Sequence, residues 1–498
     1  MNLNPDIPPR GTIRDWLDHR AAEGGVACVF PEGEEDLTWQ ALRRDAAAIA
    51  SDLTAMGCKK GESVALIYPN GRDAVRAFYG VVYGGFRATM INLAAGQDAI
   101  SYALTHSDAQ IAYVDTSTRE MFEAAKPRGM RRAVLPDGVR DTPLHDLTPD
   151  DHALLMYTSG TTGTPKGVVH THASLLAGGW TTAIAHRLTP GDRGLCVLPV
   201  YHINGLCVTV MGALVSGGSL AMCPKFSARR FWAQAGYEGV TWFSVVPTII
   251  SHLLHSDENP NAVTMARIRF GRSASSALAP EVQTAFEVRF GVPIVETMGL
   301  TETAAQMLSN PLPPGVRKIG SPGISYGNET CILRPDFTEC DAGEKGEIAV
   351  RGPNVMLEYL KNPEATQASF AGDWLRTGDL GHKDADGYVF VTGRLKELII
   401  KGGENIAPRE IDEALYAHPD VVEAAAFARP CASYGERVEA AVKLREGSVA
   451  GGADLVDFCV QRVGAFKAPD RIHLLEELPK GPSGKIQRMK LAALTQSG

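Results

Sequence analysis

Short apolar runs alternate with stretches of helical period through most of this chain, and that alternation limits the fold more than any other feature. Ala41 to Met56 is Ala-rich with helical spacing and ends at Gly57. Val64 to Tyr68 is a short apolar run closed by Pro69-Asn70-Gly71, after which Arg72 to Gly84 resumes a helical period and Ala109 to Asp115 returns to a strand. Gly194 to Pro199, Val240 to Val246, Ile268 to Ser273 and Ile294 to Glu296 repeat the design. Strands that alternate with helices predict parallel sheets covered by helices. In such open sheets ligands gather where strands end and the chain turns.

The texture changes after about Gly320. Gly343 to Gly346 followed by Glu347 to Arg351 reads as a hairpin, as does Lys383 to Gly387 followed by Tyr388 to Thr392. These predict a smaller antiparallel β-unit. From about Gly393 a compact α+β tail follows, with a helix at Glu410 to Tyr416, a strand at Glu423 to Ala428 and a helix at Leu455 to Val463. A chain of 498 residues exceeds one ordinary core, so several units are expected. Net charge is −8, with no dense run of Lys and Arg, which speaks against nucleic acid as a partner. No uncharged apolar run reaches ~18 residues, so no membrane span is expected. The N-terminal residues lack a signal peptide's apolar core, and the nine cysteines contain no Cys-x-x-Cys pair. Together these predict a cytoplasmic protein; a monomer or homodimer is expected.

The chemistry begins at Tyr157 to Gly167, Tyr-Thr-Ser-Gly-Thr-Thr-Gly-Thr-Pro-Lys-Gly. Glycines at 160, 163 and 167 let backbone N–H groups approach phosphate oxygens. Thr158, Ser159, Thr161, Thr162 and Thr164 add hydroxyl donors, and Lys166 adds a point charge. The Walker spacing is absent. A strand-like Ala153 to Met156 precedes the loop and a helix-like Ser174-Leu-Leu follows, so a solvated linker is a poor reading.

This loop resembles the signature of the adenylate-forming superfamily: acyl-CoA synthetases, carrier-protein adenylation domains and luciferase; Pro224 to Ala228, Thr241 to Ile249, the Ser/Ala turn at 273–280 and Ser309 to Pro313 look similar to oxalate–CoA ligases. Further motifs follow in the family's order, so the resemblance covers essentially the whole chain. It implies an α/β N-terminal domain over residues 1–395, with parallel-rich sheets and a small β-subdomain, then a mobile α+β C-terminal domain over 396–498. It implies an ATP-dependent enzyme that makes an acyl-adenylate with Mg²⁺, releases pyrophosphate and passes the acyl group to coenzyme A. By this resemblance Ser159, Gly160, Thr161, Thr162, Gly163, Thr164 and Lys166 hold the triphosphate. Thr297-Met-Gly-Leu-Thr-Glu302 matches the next element: Thr301 meets the α-phosphate, Glu302 holds Mg²⁺, Met298 stands at the adenine-stacking position and Gly299 borders the acyl pocket. Ser275, Ser276 and Ala277 form the adenine-contacting turn, and Asp379 and Arg394 grip the ribose. Lys396 is the hinge. Lys401, Gly402 and Gly403 belong to the loop that faces the site during thioester formation. Lys485, in Pro-Ser-Gly-Lys-Ile-Gln-Arg, is the catalytic lysine that offsets charge between two approaching anions.

His202 and Asn204, in Leu198 to Gly205, border the acyl pocket in the family. Amino-acid-activating relatives carry a carboxylate after the aromatic of their substrate-reading element; here Trp242-Phe243 is followed by Ser244. A small acid with a second anionic group, of the oxalate, malonate or sulfoacetate type, suits Arg272, His202 and Asn204, because a buried anion needs a cation or several donors. Asn204 stands where oxalate ligases are expected to have a second histidine. Short monocarboxylates, and loading of a carrier protein instead of coenzyme A, stay open as alternatives.

Overall fold

The computed structural model describes residues 3–158, 165–431, 433–481 and 486–495. Two large sheets dominate its first three hundred or so residues. In the first, the strands run in the order Ile324–Ser325, Ala305–Ser309, Ile294–Leu300, Phe270–Ser273, Trp242–Val245, Arg193–Cys196, Ser219–Met222, Val26–Val29 and Leu37–Thr38. From Ile294–Leu300 through Val26–Val29 every pairing is parallel, and both edges are antiparallel. The second sheet runs Glu358–Tyr359, Lys166–Thr171, His152–Thr158, Arg87–Met90, Ser63–Ile67, Ile111–Val114 and Arg131–Ala133, parallel from His152–Thr158 onward.

Both sheets bury both faces, which is why their strands read as unbroken apolar runs rather than as alternating ones. Helices Trp39–Ala55, Arg72–Tyr83 and His172–Ala185 lie between them, and one core joins Cys196, Met222 and Phe270 of the first sheet to Leu66, Met90 and Leu154 of the second. Separate cores cover the outer faces, one containing Phe231, Ile250 and Phe286, the other Ile100, Leu104 and Phe122. His172–Ala185 is buried on nearly every side and is started by Thr171, whose hydroxyl accepts from Ser174 N while Ser174 caps in return. Gly178 and Gly179 bring it against backbone: an added Cβ would lie 2.4 Å from the Ala304 carbonyl oxygen and 2.7 Å from that of Met211.

The antiparallel unit expected after Gly320 is a sheet of Glu329–Leu333, Gly346–Arg351, Trp374–Lys383 and Phe370–Ala371, with Val389–Arg394 paired to Trp374–Lys383. The C-terminal domain has its own sheet and its own core around Ile411, Leu415, Val438 and Leu455. Its strand Val421–Cys431 rests on the helix Pro247–Leu254: Ser251 Oγ donates to the Val422 carbonyl at 2.8 Å, and His252 Nε2 meets the buried Glu423 carboxylate at 3.1 Å.

The sequence reading lacks two local features. The helix expected around Ser174 is present as His172–Ala185, and before it Lys166–Thr171 returns antiparallel to His152–Thr158, with Thr158 opposite Lys166. The Tyr201–His202 loop runs directly into a buried π-helix, Asn204–Met211. Gly205 permits that entry, since a Cβ there would lie 2.1 Å from the Pro199 carbonyl oxygen.

Candidate active site

The C-terminal ends of the central strands of the first sheet, the antiparallel unit and the C-terminal domain converge on one cavity. Ser275, Ser276 and Ala277 line it from the turn after Phe270–Ser273, and Thr297, Met298 and Gly299 line it from the strand Ile294–Leu300. Asp379 and Arg394 contribute from the antiparallel unit. Ser275 holds a left-handed backbone, φ +74°, a costly conformation for a residue with a Cβ, and one that concentrates at working sites.

Gly299 is the tightest point. It follows a register shift against Ala305–Ser309, and a Cβ on it would lie 1.3 Å from the Ala305 carbonyl oxygen. Because the obstacle is backbone, nothing cheap can move. Gly299→Ala is expected to destabilise the protein by about 3 kcal/mol or more. Thermal unfolding checks this, and an unchanged Tm would contradict it.

Asp379 and Arg394 are direct cross-strand neighbours. Arg394 Nε donates to Asp379 Oδ1 at 2.6 Å, and the carboxylate is nearly fully buried. Burial alone lowers the guanidinium pKa, but Asp379 outweighs it and the net direction is upward. The turn before Asp379 is fixed in turn: Gly378 N donates to Glu347 Oε1 at 3.0 Å, and Thr377 Oγ1 to the Ile348 carbonyl at 2.7 Å.

Thr301 and Glu302 occupy a short 3₁₀ turn just beyond the cavity strand. His170 Nε2 meets the Thr301 carbonyl at 2.7 Å, and Met356 N donates to the Glu302 carbonyl at 2.8 Å. Burial lowers the His170 pKa to about 4, so it is neutral and Nε2–H is the donor. Tyr359 is a residue the sequence reading missed. Its hydroxyl donates to Glu302 Oε1 at 2.7 Å, while Lys166 Nζ sits 4.4 Å from its ring centroid. Burial first and the Glu302 carboxylate second raise the phenol pKa, so Tyr359 stays a donor. One aromatic side chain thus ties Lys166 to the Glu302 carboxylate of the Thr-Glu turn. Thr158 ends its strand, whereas Ser159, Gly160, Thr161, Thr162, Gly163 and Thr164 lie outside the described residues.

Arg272 is almost wholly buried behind the cavity wall. Its Nη1 donates to Asn204 Oδ1 at 2.8 Å and to Ser244 Oγ at 3.1 Å, and its Nε to Gln306 Oε1 at 3.3 Å. Asn204 Nδ2 then donates to Ser275 Oγ at 3.0 Å, which links the guanidinium to the cavity lining. Burial lowers the Arg272 pKa to about 9, so its charge persists at neutral pH. Every partner is neutral. A buried cation without a carboxylate is costly in an empty site and useful in one that receives an anion. His202 stands nearby in sequence with Nε2 buried and, among the described residues, unpartnered; burial holds its pKa at about 4.

The C-terminal domain closes the cavity with Glu397, Arg409, Asp412, Ile486 and Arg488. Arg488 Nη2 donates to Asp412 Oδ2 at 2.6 Å, and Arg488 also bonds the Ala426 carbonyl. Lys485 lies outside the described residues. The Lys401 hairpin does not line this cavity: Lys401 Nζ donates to the Phe466 carbonyl at 2.9 Å and to Asp470 at 3.2 Å. Lys396 sits in the turn between the strands Val389–Arg394 and Ile399–Lys401. Among the described residues no cluster of three His, Cys, Asp or Glu side chains is placed to hold a metal, and no helix is long and apolar enough to cross a membrane.

Residues 17–360 match the AMP-binding enzyme family, and residues 410–485 match the AMP-binding enzyme C-terminal domain. The chain is 45% identical to a sulfoacetate–CoA ligase of Cupriavidus necator over 99% of each protein. It is 36% identical to an oxalate–CoA ligase of Arabidopsis thaliana over 91% of each. The crystal structure of ATP-bound MatB from Rhodopseudomonas palustris superposes with a TM-score of 0.89 at 29% identity, covering 98% of this chain and 99% of that one. On the match over residues 17–360 and the near full-length relatives, the chain belongs to the AMP-binding enzyme family.

Proposed function

We propose that this chain is an AMP-forming acid–coenzyme A ligase for a small acid that carries a second anionic group, of the sulfoacetate, malonate or oxalate type. The observation that carries the choice of acid is Arg272: a buried guanidinium whose hydrogen-bond partners, Asn204, Ser244 and Gln306, are all neutral. The second anion settles against the Asn204–Ser275 wall, in the field of that charge, while the carboxylate points toward the nucleotide.

In the first half-reaction the carboxylate oxygen attacks the α-phosphorus of ATP, the bond to the β-phosphate oxygen breaks, and pyrophosphate leaves. The loop from Thr158 to Lys166 holds the triphosphate, and Thr301 meets the α-phosphate. Asp379 and Arg394 grip the ribose, with Thr297 and the Ser275–Ala277 turn against adenine and Met298 at its face. Their shared cavity wall supports this assignment. Glu302 suits Mg²⁺: one carboxylate oxygen is held by Tyr359, and the other accepts no hydrogen bond among the described residues. Mg²⁺ shared with substrate phosphates needs only one or two carboxylates, so Glu302 would hold it and it would neutralise phosphate charge. Lys485 stabilises the charge that accumulates as two anions meet. In the second half-reaction the thiolate of coenzyme A attacks the acyl carbonyl, AMP leaves, and a thioester forms.

The domain boundary falls at 395/396, with Lys396 as the hinge. One pose brings Lys485 to the cavity; its neighbours Ile486 and Arg488 in the wall support this. The other brings the Lys401-Gly402-Gly403 hairpin and coenzyme A, and His202 flanks the acyl group in both. Nine unpaired cysteines support a reducing cytoplasm. The test is pyrophosphate release with oxalate, malonate, sulfoacetate and propionate, each with and without coenzyme A. Release on a dianionic acid, sustained only when coenzyme A is present, is the expected result. Turnover confined to propionate overturns the choice of acid.

A further inference from the structure

Gln306 lies in the strand Ala305–Ser309, next to the cavity strand, and is almost fully buried. Its side-chain orientation is fixed: Nε2 donates to the Thr181 carbonyl at 3.2 Å, so Oε1 faces the other way. That oxygen receives Arg272 Nε at 3.3 Å and His186 Nε2 at 3.1 Å. His186 is itself fully buried, and burial first, then the Arg272 charge, lowers its pKa to about 3. It is therefore a neutral imidazole with its proton on Nε2. The Gln306 oxygen satisfies two buried donors at once, and it does so without bringing a charge.

The position invites a different side chain. A carboxylate there would meet the same two donors, pair with the guanidinium and remove the unfavourable isolated charge. The chain instead holds the amide, so Arg272 is oriented but not neutralised. Among the described residues no carboxylate lies within ion-pair distance of Arg272. We propose that Gln306 is a specificity-determining residue: its oxygen meets Arg272 Nε without bringing a charge, and this neutrality keeps the acid pocket positive for the substrate's second anion. This rests on the reading of Arg272 given above.

The experiment compares kcat/KM for malonate and sulfoacetate with that for butyrate, which lacks the second anion. Gln306→Glu introduces an internal counter-ion and is expected to lower the dianion-to-butyrate ratio by about 100-fold or more, because charge and hydrogen-bond complementarity are what reject the wrong acid. Gln306→Met removes the oxygen but adds no charge, so its ratio is expected to stay within about tenfold of the original while both acids lose rate. Nucleotide binding measured on each variant confirms an assembled site. A merely structural role would depress both acids together in both variants and leave the ratio where it was. An unchanged ratio in Gln306→Glu overturns the proposal. So does a ratio in Gln306→Met that collapses as far as a 100-fold loss, and that outcome alone suffices if the glutamate variant does not fold. A native enzyme with no preference for malonate or sulfoacetate over butyrate would instead overturn the assignment of Arg272 itself.

Discussion

Arg272→Met is expected to lower kcat/KM for a dianionic short acid by about a thousandfold, because truncating one partner of a buried charge pair costs 2–5 kcal/mol or more. Butyrate should lose less than about tenfold, since it brings no second charge to be stranded. The asymmetry follows from the partners. Ser244 can rotate its hydroxyl, Gln306 keeps the bond from His186, and Asn204 keeps its bond to Ser275, so the empty pocket loses little. Only an incoming anion loses its counter-charge. Initial-rate measurements over both acids decide it, with the KM for ATP as a control expected to change little. Equal loss on both acids would mean that Arg272 braces the sheet and does not read the substrate.

Lys485→Ala should separate the two half-reactions. Adenylation is expected to slow by about 100- to 1000-fold, the usual consequence of removing one preorganised group that stabilises transition-state charge. Thioester formation from supplied acyl-adenylate and coenzyme A should stay within a few fold, because in the proposed scheme that step runs in the other pose, with the Lys401-Gly402-Gly403 hairpin and not Lys485 at the site. The surrounding wall gives the physical reason to expect a local effect. Arg488 is anchored to Asp412 and to the Ala426 carbonyl by bonds that the substitution leaves in place. Pyrophosphate release and single-turnover thioester formation measure the two steps separately. A similar loss in both would contradict a division of labour between two poses of the C-terminal domain.

The layered core was legible because it is written locally. Runs such as Val64 to Tyr68 carry their own boundaries in Pro69 and Gly71, and a strand buried on both faces needs only apolar side chains. The motifs were legible for the same reason: Tyr157 to Gly167 and Thr297 to Glu302 are contiguous. What escaped is pairing at a distance. Tyr359 reads as an ordinary aromatic, yet the edge strand Glu358–Tyr359 lies against Lys166–Thr171 and sets its ring beneath Lys166 and its hydroxyl on Glu302. Gln306 carries no signature at all, and Ser244 was legible only as the absence of a carboxylate after Trp242-Phe243. They matter because the sheet order puts Trp242–Val245 beside Phe270–Ser273, with Ser244 in register with Arg272, and brings the antiparallel strand of Gln306 in on the other side. The strand Lys166–Thr171 was hidden by the His172 helix that follows without a break, so strand and helix signals merged.

The central claim is a reaction and a class of acid, and product identity tests both together. The protein is incubated with sulfoacetate, ATP, Mg²⁺ and coenzyme A, and products are identified by mass spectrometry, with malonate and butyrate in parallel. The account predicts the acyl-CoA thioester of a dianionic acid together with AMP and pyrophosphate in equal amounts. Formation of ADP and phosphate, or of butyryl-CoA while sulfoacetate and malonate stay unreacted, would contradict it.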